Sequence, residues 1–420
     1  MDKKIALKIG TRRIIFNSNI DLVSLAIATL IMSPLLDFMF TYGFGLDNLS
    51  SPLVLIISIT AILLSIKKIK LNKWCGVFLI FVSFFYIVSC LFYQQEGVIP
   101  SMFILWVVIP VILTNFQYNA EKILRYCLYY STLLIFSFDE ILIQTHVPTT
   151  RFNQVSLVTS YALVIAGTVL IFHFMYYRNE SSIIIKVLYC IQLYYMIIYS
   201  MQIARGALLV LITSFVIAII GKYQGEKRKK PEKQIVLISI ISAILLFILR
   251  NNFVNIMLWS VSFLSKYGIN IGALDKALYF LSQGDVTNGR KEFFSTALEY
   301  FWKSPIWGNG IGTFITKNSA GIAFVHNFIL QFMYEGGLIF AIPLSFLALK
   351  AILATLNLYN LNKNSFVIIA FLSCNMLVKL SFSSNPWVNP MLWLLFGIII
   401  NHLKQLKFRN MQVKFGVNGG

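Results

Sequence analysis

The sequence has few charged residues, and the charge that it does carry is unbalanced. Charged residues make up 12% of the 420 positions, and 16 Asp+Glu stand against 35 Lys+Arg, so the formal net charge is +19. Soluble domains carry about 25% charged residues, so an ordinary soluble enzyme is disfavoured. A hydrophobic content of 58% excludes a disordered chain. Nucleic-acid binding is disfavoured too, because the cations occupy short gaps between apolar runs.

Cysteine and histidine are also scarce, and neither shows the spacing of metal ligands. The 5 cysteines are odd in number, form no CxxC motif and lie in or beside apolar runs. We interpret them as buried small hydrophobic side chains. The 4 histidines are scattered along the chain. The sequence therefore predicts no metal site and no cofactor.

Long apolar runs fill most of the chain instead. A helix needs about 20 mostly apolar residues to cross a membrane, and we count about twelve such runs. They lie near residues 20–42, 52–66, 74–93, 99–116, 124–143, 157–177, 183–203, 206–221, 234–249, 325–349, 365–382 and 388–403. The sequence therefore predicts an all-α polytopic membrane protein of about twelve transmembrane helices, with one large outer loop that contains short helices.

The positions of Lys and Arg predict the orientation of these helices. With the N-terminus in the cytoplasm, most cations fall on cytoplasmic segments, as the positive-inside rule requires. The predicted organisation is transmembrane helices one to nine in residues 1–249, a large outer loop at 250–324, helices ten to twelve in 325–403 and a cytoplasmic tail at 404–420. No small-residue cleavage site follows the first run, which we expect to be a retained helix.

The outer loop contains one amphipathic segment followed by a glycine-rich turn. Apolar residues at helical spacing predict a helix from about Gly289 to Lys303, and Ser304 and Pro305 end it. Three glycines follow at alternate positions, where backbone can pack closely or present amides to an anion. These glycines are Gly308, Gly310 and Gly312.

Ionisable residues near membrane depth are costly and are therefore candidates for function. Arg205 lies at the outer end of its run, where a snorkelling anchor is the alternative. Arg290 opens the predicted loop helix, with an ordinary surface arginine as the alternative. His326 begins the next run, and its unperturbed pKa suits proton transfer near neutrality, although a satisfied boundary residue is equally compatible. Glu335 is expected to be a buried partner for a cation such as Lys379 or Arg205.

Four motifs occur in order around the outer loop. They are ARGALLVL at 204–211, NGR at 288–290, SPIWGNGIGTF at 304–314 and HNFILQFMYEGGL at 326–338. This ordered set resembles the bacterial O-antigen polymerase and ligase superfamily, whose members join lipid-linked saccharides on the outer face of the inner membrane. Ala204 stands where many members have Ser.

The resemblance implies an inverting, metal-independent glycosyltransferase in the bacterial inner membrane. Its donor and acceptor would be undecaprenyl-diphosphate-linked oligosaccharides, and its other partners membrane lipid and a possible chain-length regulator. Arg205 and Arg290 would neutralise the leaving diphosphate, and His326 would orient or deprotonate the acceptor hydroxyl. The substrate-binding residues that the likeness implies are Arg205, Arg290, Gly308, Gly310, Gly312, Asn327 and Glu335.

Two alternatives to a polymerase stay open. A ligase would use the same chemistry and transfer finished glycan to lipid A core, and the motifs belong to the part that both enzymes share. A transporter or flippase also commonly has twelve spans with both ends inside. Against a transporter, the sequence shows no repeated halves, and the long loop lies off-centre.

Overall fold

A computed structural model describes most of the chain. The described residues are 5–9, 12–16, 21–47, 49–70, 72–93, 97–134, 155–180, 183–200, 205–227, 258–259, 262–263, 266, 290–356, 361–382 and 385–414. The predicted span near 234–249, nearly all of residues 250–289 and the side chain of Arg205 lie outside this part of the structure.

The described chain is helical after a short N-terminal hairpin. The strands are β1 Ile5–Ile9 and β2 Arg12–Phe16. The α-helices are α1 Leu22–Ile31, α2 Ser33–Phe38, α3 Ser50–Ser65, α4 Lys73–Phe92, α5 Pro100–Phe103, α6 Ile109–Leu113, α7 Ala120–Thr132, α8 Val155–Tyr177, α9 Ile183–Ser200, α10 Arg205–Lys227, α11 Lys291–Lys303, α12 Phe328–Leu356, α13 Lys363–Ser373, α14 Lys379–Phe382 and α15 Pro390–Lys414. Turns of π-helix occupy Met39–Gly43, Ile104–Val108 and Cys374–Val378. Turns of 3-10 helix occupy Ile66–Lys68, Arg178–Glu180, Phe314–Thr316 and Pro386–Val388.

The hairpin is an addition that the sequence analysis did not predict. Strands β1 and β2 are antiparallel, with Ile5 opposite Phe16 and Ile9 opposite Arg12. Both five-residue segments contain isoleucine, whose branched side chain favours extended backbone, and both are too short to cross a membrane. The apolar runs begin only after this basic segment.

Asparagine and aspartate side chains set where several helices begin. The side-chain oxygens of Asp21, Asn72, Asn119 and Asn362 each accept a hydrogen bond from an amide two or three residues further on. Such caps satisfy amides that have no partner inside the helix. Each cap comes just before an apolar or amphipathic segment, so local sequence accounts for these helix starts.

Several helices have the length and composition of membrane spans. By these two criteria, 4 described helices are long and apolar enough to cross a membrane, or up to 5 if one bent pair is a single span. They are Lys73–Phe92, Ser160–Tyr177, Phe328–Leu356 and Lys363–Ser381, and the pair bent by 64° is Leu22–Ile31 with Ser33–Gly43. On α4, Ile80 is 72% exposed and Leu91 71%, an apolar surface suited to lipid. These helices indicate a membrane-associated protein.

An aromatic column packs α12 against the last helix. The Phe340 ring stacks on Trp387 at 5.9 Å between centroids, and Trp387 stacks on Trp393 at 5.2 Å. Phe332 contacts Phe340 edge-on at 5.6 Å. All four side chains are fully buried. The column places the Trp387 indole beside the N-terminal half of α12, where its N–H needs an acceptor.

Helix α12 is broken at Gly337, which has φ 61° and ψ −162°. A break leaves carbonyls and amides without helical partners. On the N-terminal side, the amide of Asn309 donates to the Tyr334 carbonyl at 2.8 Å, and the amide of Gly310 donates to the Glu335 carbonyl at 2.9 Å. The glycine-rich segment therefore satisfies the carbonyls that the break exposes.

The same segment satisfies the amides on the other side of the break. Leu338 donates its amide to the Pro305 carbonyl at 2.8 Å, and Ile339 donates to the Ile306 carbonyl at 3.4 Å. A Cβ at Gly337 would collide with the backbone of Ile306. Residues 305–310 thus form a plug that lies in the gap of α12, and only a glycine at the break admits it.

The plug predicts that Gly337→Ala destabilises the protein strongly. Gly321→Ala is a matched control, because Gly321 also has a positive φ of 62° but has nothing within 4 Å of the position that a Cβ would take. Both variants bear the backbone strain of about 1 kcal/mol, and only Gly337→Ala adds a clash. We expect its thermal midpoint in detergent to fall several degrees below that of Gly321→Ala. Equal midpoints would contradict the plug.

Candidate functional site

A buried carboxylate lies at the break in α12. Glu335 is 1% exposed. Its Oε1 accepts from the Gly312 amide at 3.0 Å and from Gln331 Nε2 at 2.7 Å, and its Oε2 accepts from Trp387 Nε1 at 2.6 Å. No cation lies within ion-pair distance of it in the described part of the chain. Three N–H donors therefore hold this group, one from its own helix and two from other segments of the chain.

The ion pair expected between Glu335 and Lys379 does not form. Instead, the Trp387 amide donates to Asn385 Oδ1 at 3.0 Å, and Asn389 Nδ2 donates to the Asn385 carbonyl. Lys379 Nζ then donates to Asn389 Oδ1 at 3.2 Å. Residues of the turn before α15 therefore separate the carboxylate from the ammonium. The alternative partner, the Arg205 side chain, lies outside the described residues.

His326 occupies a strained turn just before α12. Its φ is 64°, which is uncommon for a residue with a side chain. On one side, the Val325 amide donates to Gln331 Oε1 at 2.6 Å. On the other side, Asn327 Oδ1 accepts hydrogen bonds from the amides of Ile329 and Leu330 in α12, each at 3.1 Å. The oxygen of Asn327, a predicted substrate ligand, is thus used to cap the helix and hold His326 in place.

The His326 ring lies between two phenylalanines and near one cation. Its centroid is 4.4 Å from that of Phe324 and 5.7 Å from that of Phe293. Nδ1 is buried and has no hydrogen-bond partner among the described residues. Burial, and then the charge of Arg290, lower the pKa of His326 from 6.5 to about 4. The imidazole is therefore neutral at neutral pH and able to accept a proton or a hydrogen bond.

Arg290 lies at the N-cap position of α11 and is half-buried. No carboxylate is within ion-pair distance of it in the part of the chain that the structure covers. Burial lowers the pKa of its guanidinium, and the Tyr161 hydroxyl partly offsets this, but an arginine stays protonated. Lys379 Nζ lies over the ring of the same Tyr161, 5.0 Å from the centroid. Lys379 therefore contacts a tyrosine that also influences the pKa of Arg290.

A small apolar cluster places Arg290 beside His326. It joins α11 to the N-terminal end of α12, and its buried members are Ala297, Phe314, Val325 and Tyr334. Phe293, one turn after Arg290, packs on this cluster and also contacts the His326 ring. The predicted loop helix is present and ends at Lys303 as expected, although it begins at Lys291 rather than Gly289.

The glycine-rich loop packs closely against its neighbours, which is one of the two roles expected for it. The Gly308 amide donates to the Ser304 carbonyl at 2.9 Å, the Gly310 amide to the Glu335 carbonyl, and the Gly312 amide to the Glu335 carboxylate. Protein acceptors therefore occupy all three amides that an anion was expected to bind. A Cβ at Gly308 would also meet the backbone of Glu335 at 2.5 Å. Close packing, the other expectation for these glycines, describes what they do here.

The structure brings Arg290 and His326 together and places Glu335 behind them. Arg205 begins α10, but its side chain lies outside the described part of the structure. The sequence analysis missed Tyr161, and it treated Lys379 only as a partner for Glu335. A lysine inside an apolar run was the available signal for Lys379, whereas no local pattern distinguished that tyrosine from its neighbours. Among the described residues, no group of three or more His, Cys, Asp or Glu side chains could hold a metal ion.

Comparison with known proteins identifies no family. No protein-family model matches the chain, and a search of the curated proteins finds no match either. The functional interpretation therefore depends on the motifs and on the geometry of this site.

The first prediction from the site concerns the buried carboxylate. A carboxylate only accepts hydrogen bonds, whereas the amide in Glu335→Gln would point an N–H at one of the present N–H donors. We therefore expect the variant to be destabilised by about 3 kcal/mol, which a lower thermal midpoint would show. Glu299→Gln is the matched control, since the Glu299 side chain is 64% exposed and pairs only with Lys303 on the same helix. Equal effects of the two variants would show that the buried hydrogen bonds contribute little.

The second prediction concerns the charge near His326. Because Arg290 lowers the pKa of His326, Arg290→Met should raise this pKa above about 4, and Arg290→Lys should keep it low. An NMR titration of labelled histidine, assigned with His326→Gln, measures the shift. Protonation of the buried ring opposes folding, so stability should fall as the pH drops from 6.5 toward 4. A pKa unchanged by Arg290→Met would exclude the coupling.

Proposed function

We propose that the chain is a polymerase of O-antigen or a related surface polysaccharide. It transfers a growing glycan from undecaprenyl diphosphate to a hydroxyl of another lipid-linked repeat unit, with inversion at the anomeric carbon. The ordered motifs support this proposal through their resemblance to the O-antigen polymerase and ligase superfamily. The cationic pocket around Arg290 and His326 supports it through its chemistry. No metal is required in this scheme, and nucleic acid is not a partner.

The proposed setting is the bacterial inner membrane. About twelve spans would place both termini in the cytoplasm and the large loop of residues 250–324 on the outer face. The described membrane-length helices and the distribution of Lys and Arg support this arrangement. Membrane lipid would surround the protein, and a chain-length regulator is a further partner of the proposed pathway.

One observation carries the proposal: an arginine without a carboxylate partner in the described chain lies beside a neutral histidine. A half-buried, permanently charged guanidinium favours an anion in its vicinity. A neutral imidazole accepts a proton from a hydroxyl. Glycosyl transfer from a lipid diphosphate needs both groups, since the leaving diphosphate gains negative charge while the acceptor hydroxyl loses its proton.

The proposed step balances around the anomeric carbon. The acceptor oxygen forms a bond to this carbon from the face opposite the diphosphate, and the bond from this carbon to the diphosphate oxygen breaks. His326 takes the hydroxyl proton, and Arg290, with Arg205 on α10, neutralises the diphosphate that leaves. Glu335 supports the site by fixing the loop and α12, without contacting the substrate.

A base with a pKa of about 4 is weak in the empty site. A bound diphosphate places negative charge beside Arg290 and so offsets the repulsion that lowers the pKa of His326. Binding of the donor should therefore strengthen the base.

The proposal is tested by incubating the purified protein with a lipid-diphosphate-linked repeat unit and EDTA. A polymerase produces a ladder of glycans without any added acceptor or metal. Transfer that appears only after lipid A core is added would identify a ligase instead. Verified substrate with neither product, together with movement of the lipid-linked unit across vesicle membranes, would identify a flippase and overturn the proposal.

We predict that His326→Ala and Arg290→Met each reduce ladder formation at least about 100-fold, since proton transfer and charge stabilisation contribute factors of this order. Lys291→Met is the matched control, because Lys291 is the exposed neighbour of Arg290 and is not part of the site. Normal ladders from both site variants, at normal protein levels, would refute the assigned roles.

A further inference from the structure

Lys379 is a buried cation at the outer end of an apolar helical segment. It is 7% exposed and lies within the candidate span Lys363–Ser381. An ammonium has three donors, but among the described residues Lys379 has one hydrogen bond, to Asn389, and one contact with the face of the Tyr161 ring. No carboxylate is within ion-pair distance in the described chain. A charge held this way at membrane depth is costly and calls for a function.

The N-terminal end of helix α10 lies at about the same depth as Lys379. Gly221 of α10 packs against the Phe366 ring, and the same helix also contacts the Lys379–Phe382 turn. At 1.5 Å per residue, the Lys379–Phe382 turn begins about 20 Å further along the helical segment than Phe366. From Gly221 to its C-terminus, α10 extends only about 9 Å, so the contact must be made by its N-terminal part. The backbone of Arg205 therefore lies within about one turn of the level of Lys379.

The charges at this depth belong to one region of the molecule. Tyr161 partly offsets the lowering of the Arg290 pKa, and Lys379 Nζ lies over the ring of the same tyrosine, 5.0 Å from its centroid. The N-terminal part of α10 as the structure describes it lies beside the Lys379 turn. Both cations are thus associated with Tyr161, and a ligand with negative charge at more than one position suits the two of them together.

We propose that Lys379 is a further donor-binding residue, whose ammonium, held by Tyr161 and Asn389, contacts the second phosphate of a lipid diphosphate bound at Arg290. This assignment rests on the proposed function and extends it, since it explains why a diphosphate would be preferred to a monophosphate. In this proposal, Arg290 alone binds one phosphate group. Lys379 binds the second phosphate group.

Binding of undecaprenyl diphosphate and undecaprenyl monophosphate to the full-length protein in nanodiscs tests the proposal. Lys379→Gln keeps a donor for Asn389 but removes the charge, and should weaken diphosphate binding about tenfold. Monophosphate binding should change less than about threefold, and Lys379→Arg should retain most of the diphosphate affinity. Lys350→Gln is the matched control, because Lys350 also lies over an aromatic ring, that of Phe346.

Kinetics separate this inference from the proposed function. If the native protein forms glycan, Lys379→Gln should raise the KM for the donor more than it lowers kcat, which loss of packing alone would not do. Unchanged diphosphate affinity in a folded Lys379→Gln variant would overturn the role of Lys379, and so would an equal loss in Lys379→Arg. Absence of any glycan product from the native protein would instead refute the proposed function, while the binding comparison still decides whether Lys379 recognises a diphosphate.

Discussion

The site depends on one buried carboxylate. Glu335 accepts hydrogen bonds from the glycine-rich loop, from its own helix and from the turn before the last helix. Through Gln331 it reaches the turn that holds His326, and through Trp387 it reaches the segment that holds Lys379. A buried anion without three such donors would be too costly to keep, so these three segments can adopt their positions only together.

The break in α12 is the backbone counterpart of this carboxylate. An unbroken helix would have no free carbonyls or amides to pair with residues 305–310. The loop would then have no hydrogen-bond partners at this place inside the molecule. With Gly337 at the break, the loop pairs with both helix ends and brings Gly312 to Glu335. The amides of this loop are thereby withdrawn from ligand binding. In the proposed site, the positive charge offered to an anion therefore comes from the side chains of Arg290 and Lys379.

Sequence patterns predicted what depends on neighbouring residues. Apolar periodicity and a following Ser-Pro predicted α11 and its end at Lys303, and motif order singled out Arg290 and His326. The partners of Glu335 could not be predicted, because two of its three donors, Gly312 and Trp387, lie in other segments and each of the three is a common residue type. The glycine triplet was open to two interpretations, since flexible backbone serves close packing and anion binding equally well. Only the position of α12 distinguishes them.

Electrostatics imposes an order on the proposed reaction. In the empty site the charge of Arg290 has no carboxylate beside it in the described chain, and burial together with this charge holds the pKa of His326 near 4. The acceptor hydroxyl therefore meets a poor base. A bound lipid diphosphate supplies the missing negative charge, so the same event that delivers the anomeric carbon also raises the pKa of the histidine. In the proposed reaction, His326 would therefore be a stronger base with a donor bound than in the empty site.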